Sequence, residues 1–350
     1  GLAWLAGWLA GWLAGWLAGG GNRMRAALYR QNGEVSVLSV EDVETPVPAP
    51  GQVRVRVSCS GVNPTDWKTR AGTTGKPPDG WQIPHQDGSG MIDLVGEGVT
   101  DRVVGQRVWI YLAAFENRFG TAAEYCVVPA RRTVTLPGTV SDELGASLGV
   151  PALTAAHCLG GDPAPLSGRT VLVAGGAGAV GHFAIELAKH AGAQVVATVS
   201  TDEKAALAEA AGADLVVRYR DPGAPAQIRS YAGSVDRIVE LALGANLDLD
   251  LAVAKPGASI TVYASEAQDP VLPTRRLMGA NVALEFVLLY GVPAPRLAAA
   301  VSWTERALAD GALSALPVHT YTLDQVAEAQ LAVEHGAVGK VLVMPWQANR

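Results

Sequence analysis

Cysteine is scarce: Cys59, Cys126 and Cys158 are the three in 350 residues. They lie far apart and form no CxxC pair, which argues against both a disulfide framework and a cysteine-rich zinc module. Reduced thiols in a cytoplasm are the expectation. Positive charge is also in short supply, with 27 Lys and Arg against 33 Asp and Glu and a formal net charge of -6. No local Lys/Arg run reverses that balance, so a general attraction for nucleic acid or anionic membrane is excluded and a small-molecule partner is expected. Apolar residues, by contrast, make up 49% of the chain. At this length that is enough to fill two cores, and disorder is not expected.

The first stretch, GLAWLAGWLAGWLAGWLAGGGNR, repeats a Gly-Trp-Leu-Ala tetrad. As a helix its uncharged part would reach about 27 Å, barely a membrane span. Glycine at every fourth position weakens such a helix by about 1 kcal/mol each, and no charged region precedes it as in a signal peptide. The expectation is a low-complexity extension over residues 1–23, outside the fold, with an interfacial membrane anchor as the functional alternative.

From Met24 to about residue 150 the sequence reads as short strands broken by turns. In QVRVRVSC, Val53, Val55 and Val57 share one face and Arg54 and Arg56 the other, the alternation of a half-buried antiparallel strand. Glycines at 88, 90, 96, 98 and 105 stand where a small barrel needs bends and bulges. After residue 150 the rhythm changes. TVLVA, QVVATV, DLVVRY, VDRIVELA, ASITVYA and NVALEFVLLY are six apolar runs, most separated by helical stretches. That pattern predicts a doubly wound parallel sheet of the Rossmann type. The chain thus divides into 24–150, 151–290, and a C-terminal stretch 291–350 that returns to the first unit.

Between the first run and its helix lies Gly176-x-Gly178-x-x-Gly181. A lone GxGxxG is weak evidence, but here a strand precedes it and a helix follows, with Val180, Phe183, Ala184 and Leu187 on one helix face. Such a loop lets the backbone of Gly176, Ala177, Gly178, Ala179, Val180 and Gly181 approach a pyrophosphate. Where an NAD site would carry an acid at the end of the second strand, this chain has Ser200 and Thr201, with Lys204 close behind. Hydroxyls and an ammonium suit the 2'-phosphate of NADPH. Tyr219 and Arg218, after the third strand, stand within reach of the same phosphate. Asp202 and Glu203 are the counter-evidence, and first-turn helix charges are their alternative role.

In SGVNPTDWKTRAG, Asn63, Pro64 and Asp66 are turn formers, and by themselves they read equally as the end of a strand or as a wall facing substrate. GVNPTDWKTRAG, IPHQDGSGMIDLVGEGV, GTAAEYCVVPARRTVTLP, GVPALTAAHCL, VLVAGGAGAVG and GAVGKVLVMP, in that order, make the chain from about Met24 to Pro345 resemble the medium-chain dehydrogenase/reductase superfamily. Within it, the zinc-free quinone oxidoreductases of the zeta-crystallin type are the nearest likeness. The resemblance implies a GroES-like barrel domain, a Rossmann domain, NADPH in the cleft between them, and a homodimer or homotetramer. It places Asn63 and Asp66 beside the nicotinamide as catalytic residues, and Thr154 and Lys340 among the cofactor contacts. At positions where zinc-dependent members carry cysteine and histidine ligands, this chain has Asn63 and Gln86, with His85 where a glycine stands. Asn and Gln are poor zinc ligands, so no metal is expected. Cys158, near a third ligand position, is expected to be a small buried residue. Without metal, the amide of Asn63 would donate to a developing oxyanion, while Asp66 would orient it, relay a proton, or simply cap local backbone. Phe286 and Tyr290 are expected in the pocket wall, the core or a dimer edge. The implied activity is hydride transfer to a quinone or related conjugated carbonyl. An enone or enoyl-thioester reductase is the alternative, weakened because Thr74 stands where some of those enzymes carry a tyrosine. An NADPH-binding module with little turnover is the alternative of another class.

Overall fold

The computed structural model describes residues 22–347. Nearly all of the expected extension lies outside them, although the fold already takes in Arg23. Strand β1 (Arg23–Leu28) pairs antiparallel with β2 (Ser39–Glu44), Arg23 standing opposite Glu44. Strand β3 (Gln52–Gly61) then buries Val53, Val55 and Val57 completely, as its alternation requires. Burying side chains of this size stabilises by about 1.5–3 kcal/mol each. Helix α1 (Pro64–Ala71) comes next, followed by β4 (Asp87–Val95), β5 (Arg107–Ile110), β6 (Tyr125–Pro129) and β7 (Thr133–Thr135).

Helix α2 (Asp142–Cys158) is where the first unit meets the second. It is buried almost throughout from Leu144 to Cys158 and packs against β4 and β5 as well as the helices of the second unit. From Leu144 to Cys158 its residues are accordingly mostly apolar, with Ser147, Thr154 and His157 as the buried polar exceptions.

The second unit alternates strand and helix: β8 (Thr170–Ala174), α3 (Ala179–His190), β9 (Gln194–Val199), α4 (Asp202–Ala210), β10 (Leu215–Arg218), α5 (Ala224–Ala232), β11 (Val235–Glu240), α6 (Leu243–Val253), β12 (Ala254–Val262), α7 (Thr274–Ala280) and β13 (Ala283–Phe286). All six strands are parallel, in the order β10-β9-β8-β11-β12-β13. The order reverses direction beside β8, which puts a ligand crevice at the carboxyl ends of β8 and β11. The six apolar runs of the sequence are these six strands.

After β13 the chain divides between the two units. Helix α8 (Ala294–Ala309) packs on α2 and α3, beside the parallel sheet. Strand β14 (Val318–Thr322), α9 (Val326–Glu334) and β15 (Lys340–Met344) rejoin the first unit, so the return starts later in the chain than position 291. The first unit's sheet runs β14-β15-β3-β4-β5-β7, with β6 also on β3. Because β15 lies antiparallel to β3, with Leu342 opposite Gly61, the C-terminal strand abuts the start of α1. That pairing brings Lys340 to residues numbered in the sixties.

Candidate active site

The NPTD stretch is the start of a helix. Pro64 is the first residue of α1, where its missing N–H costs nothing, and Asn63 in extended conformation is the N-cap. Asp66 Oδ2 accepts the backbone N–H of Asn63 at 2.7 Å, and its Oδ1 accepts that of Gln86 at 3.2 Å. Asp66 thus ties the helix start to the segment before β4. Its carboxyl is fully enclosed. Burial pushes its pKa up to about 8, against the opposing pull of the two N–H groups and Lys340, while nearby Asp87 adds to the rise.

Two groups meet at the side chain of Asn63. Lys340 Nζ donates to Oδ1 at 2.7 Å, and Nδ2 donates to Asp87 Oδ2 at 2.6 Å. Asp87 is further held by the backbone N–H of Val150, 2.9 and 3.0 Å from its two oxygens. Asn63, Asp87 and Lys340 are all buried. Burial raises the Asp87 carboxyl to about 6 and lowers the Lys340 ammonium, the two being partly restored by each other's charge. One Nδ2 hydrogen of Asn63 has no partner among the described residues. Lys340, expected among the cofactor contacts, is engaged with this cluster. Asp87 was not assigned a role from sequence. The available signal was an acid in HQDGSG, at the head of a strand whose first four residues are buried.

His85 sits just behind. Its backbone lies in the left-handed region, φ 80°, where a glycine would be unstrained. Burial pushes its pKa down to about 3, so the ring is neutral. Arg70 Nε donates to Gln330 Oε1 at 2.7 Å, which leaves the Gln330 amide N–H to face His85 Nε2 at 3.2 Å. Nε2 is therefore the acceptor and Nδ1 carries the proton toward Ser60 Oγ, 2.9 Å away. Ser60 and Thr121 continue the chain to the carbonyl of Asp87. Gln86 accepts the N–H of Ala114 through its side chain. Both His85 nitrogens and the Gln86 oxygen are thus engaged within the protein. Among the described residues no group of three or more His, Cys, Asp or Glu is arranged to hold a metal. Cys158 is buried, its thiol pushed up to about 12 by that burial.

The glycine loop fits a dinucleotide. A Cβ built on Gly181 would stand 2.2 Å from the carbonyl oxygen of Gly175, so only glycine lets α3 begin this close to β8. Gly178 differs: its Cβ would meet only Gly175 O, at 3.5 Å, and the space on that side is open. Gly178 caps α3, whose first residues are Ala179, Val180 and Gly181, and the first N–H groups of a helix have no intrahelical partner. Gly176 packs toward Ala197 of β9, and Ala177 is buried. These are the features of a pyrophosphate cradle, closed on the protein side and open on the other.

At the end of β9, Lys204 Nζ lies 3.3 Å from Ser200 Oγ, and Thr201 Oγ1 caps α4 by accepting the N–H of Lys204. Asp202, the counter-evidence in the sequence, is fully exposed and paired with Arg218. Tyr219 is stacked under the guanidinium of Arg220 at 5.2 Å. Hydroxyl, ammonium and guanidinium groups therefore gather at the ends of β9 and β10.

Thr154 lies on α2, one turn beyond the Val150 N–H that holds Asp87, and its hydroxyl bonds no other described residue. Tyr290 reaches from the second unit to the first: its hydroxyl is 2.7 Å from Thr65 Oγ1 and its ring packs on Phe115. Phe286 faces out of β13 and is 67% exposed.

Comparison with known proteins agrees with this architecture. Residues 49–138 match the alcohol dehydrogenase GroES-like domain, and residues 179–306 match the family described as zinc-binding dehydrogenase. A quinone oxidoreductase of Lama guanicoe is 29% identical over 326 residues, covering 92% of this chain and 97% of its own. A 2-haloacrylate reductase of a Burkholderia species is 30% identical, covering 71% of this chain and 75% of its own. A mycobacterial protein solved in complex with NADPH superposes with a TM-score of 0.78 at 29% identity, covering 92% of this chain and all of that one. The chain belongs to the medium-chain dehydrogenase/reductase superfamily and, within it, to the zinc-independent quinone oxidoreductase family.

Proposed function

We propose that this protein is an NADPH-dependent oxidoreductase that reduces a quinone or related conjugated carbonyl without zinc. The observation that carries the reading is the amide of Asn63, held from both sides with one N–H uncommitted. The cofactor assignment is supported by the open cradle at Gly178 and by Ser200 and Lys204 side by side at the end of β9. It is also supported by the NADPH complex of the mycobacterial relative.

In this reading Gly178, Ala179, Val180 and Gly181 receive the pyrophosphate, and Ser200, Thr201, Lys204 and Tyr219 bind the adenosine end. Thr154 offers its free hydroxyl at the nicotinamide end. Bound NADPH would supply the hydride. Asn63 Nδ2 then donates to the oxygen on which negative charge develops. Asp66, with both oxygens engaged by backbone N–H groups, positions Asn63. The barrel-type unit comprises 24–141 with 318–344, and α2 joins it to the parallel sheet. The exposed apolar edge formed by Phe286 with Leu288 and Met278 supports a homodimer joined along β13. Three buried thiols, and the lack among the described residues of any helix long and apolar enough to cross a membrane, are compatible with a cytoplasmic location.

One observation favours enone reduction as a second reading: the Tyr290 hydroxyl, two residues along from Asn63 at Thr65, can hydrogen-bond an enolate or protonate it. Both readings are tested by following NADPH oxidation, with chelator present, against a para-quinone and separately an open-chain enone. The leading reading expects rapid turnover of the quinone, with Tyr290→Phe within about twofold of the parent. The second expects enone turnover that falls about 100-fold in Tyr290→Phe, the range of general-acid loss. NADPH binding without turnover of either compound would overturn both.

A further inference from the structure

A carboxamide can usually rotate half a turn and offer oxygen or nitrogen to either side. Asn63 cannot. The ammonium of Lys340, 2.7 Å from Oδ1, only donates, and the carboxylate of Asp87, 2.6 Å from Nδ2, accepts. Turned over, the amide would set N–H against ammonium and C=O against carboxylate. Neither neighbour is free to adjust. Asp87 is held by Val150 N, and the side chain of Lys340 is buried, with Asn63 Oδ1 the one hydrogen-bond acceptor of its ammonium among the described residues. The orientation of the amide is therefore decided by two residues that come from β4 and β15, well separated in sequence from Asn63.

We propose that Lys340 is a positioning residue for the reaction, acting through Asn63 to aim its one uncommitted Nδ2 hydrogen at the acceptor oxygen, with Asp87 as the opposing stop. The inference rests on the reading of Asn63 as oxyanion donor given above. A cation behind the amide oxygen also polarises the amide and strengthens its N–H as a donor. Because the cluster is enclosed, that effect is weakly screened. Lys340 thus belongs to the acceptor side of the site and leaves the cofactor's affinity to the glycine loop and the Ser200 cluster.

The test compares Lys340→Met, which removes donor and charge, with Lys340→Gln, which keeps a donor for Oδ1. Each is also made in an Asn63→Ala background, and each is measured for quinone-dependent kcat and for NADPH Kd by fluorescence titration. Lys340→Met is expected to lower kcat about 100-fold, the scale of a misplaced reacting group, with NADPH Kd unchanged. Lys340→Gln is expected to recover a large part of that loss. Neither substitution should lower kcat further once Asn63 is alanine. Weaker NADPH binding at unchanged kcat would overturn the proposal and return Lys340 to the cofactor, and losses that multiply in the double variants would overturn it as well. If Lys340→Met does not fold, Lys340→Gln alone decides: its deficit must vanish in the Asn63→Ala background. Failure of the oxyanion reading is seen separately, as an Asn63→Ala single variant that keeps the parent kcat.

Discussion

Gly149 faces Asp87 so closely that a Cβ built on it would lie 2.0 Å from Oδ1. The contact gives opposite expectations for Gly149→Ala. Helix propensity favours alanine inside α2 by about 1 kcal/mol. Against that, Asp87 is fixed by Val150 and Asn63 and has no room to retreat, and a forced overlap of this kind costs about 1–3 kcal/mol. The clash dominates, and it falls on a group that holds Asn63. Gly149→Ala should therefore lower the thermal midpoint and the quinone turnover together. Gly138→Ala, where a Cβ would meet nothing within 4 Å, should leave both unchanged. A Gly149→Ala variant as active as the parent would show that Asp87 can move without consequence.

The parts of the fold that were legible in sequence are those written as local pattern. Val53, Val55 and Val57 alternate because β3 has one buried face, and the runs of β8 and β9 are near-continuously apolar because those central parallel strands are buried almost throughout. NPTD was ambiguous for a physical reason: turn formers and helix N-caps are the same residue types, and only the Asp66 bonds to Asn63 and Gln86 distinguish them. The cluster around Asn63 was less legible still. Lys340 and Asn63 are 277 positions apart and meet through the β15–β3 pairing, and no local periodicity records such a contact. Asp87 carries no local signal, because its two side-chain donors come from Asn63 and from a backbone N–H on α2.

Lys204 tests the cofactor assignment. Its Nζ rests beside Ser200 Oγ and makes no ion pair with a described acid, whereas Asp202 is occupied by Arg218. A charge-assisted bond to a phosphate contributes about 1.5–3 kcal/mol. Lys204→Ala should accordingly raise the NADPH Kd roughly tenfold to a hundredfold and leave NADH binding unchanged, as read by parallel titrations. An unaltered preference between the two cofactors would remove Lys204 from the phosphate site.

Asp66 makes the stability of the fold depend on pH in an unusual direction. Its carboxyl is raised from an ordinary 3.8 to about 8 in the folded protein, chiefly by burial. Between those two values the folded chain retains a proton that the unfolded chain has released. Stability therefore falls as pH rises through that window, the reverse of the usual salt-bridged carboxylate. Asp87, raised to about 6, adds to the fall in the lower half of the window. Asp66→Asn removes the titrating group while keeping an acceptor oxygen. Its thermal midpoint should start below that of the parent near pH 4, because one of the two backbone N–H groups loses its acceptor. It should then decline less steeply toward pH 8. Parallel melting curves for the two proteins at every pH would show that Asp66 keeps its charge on folding, and that the two backbone N–H groups and Lys340 outweigh its burial.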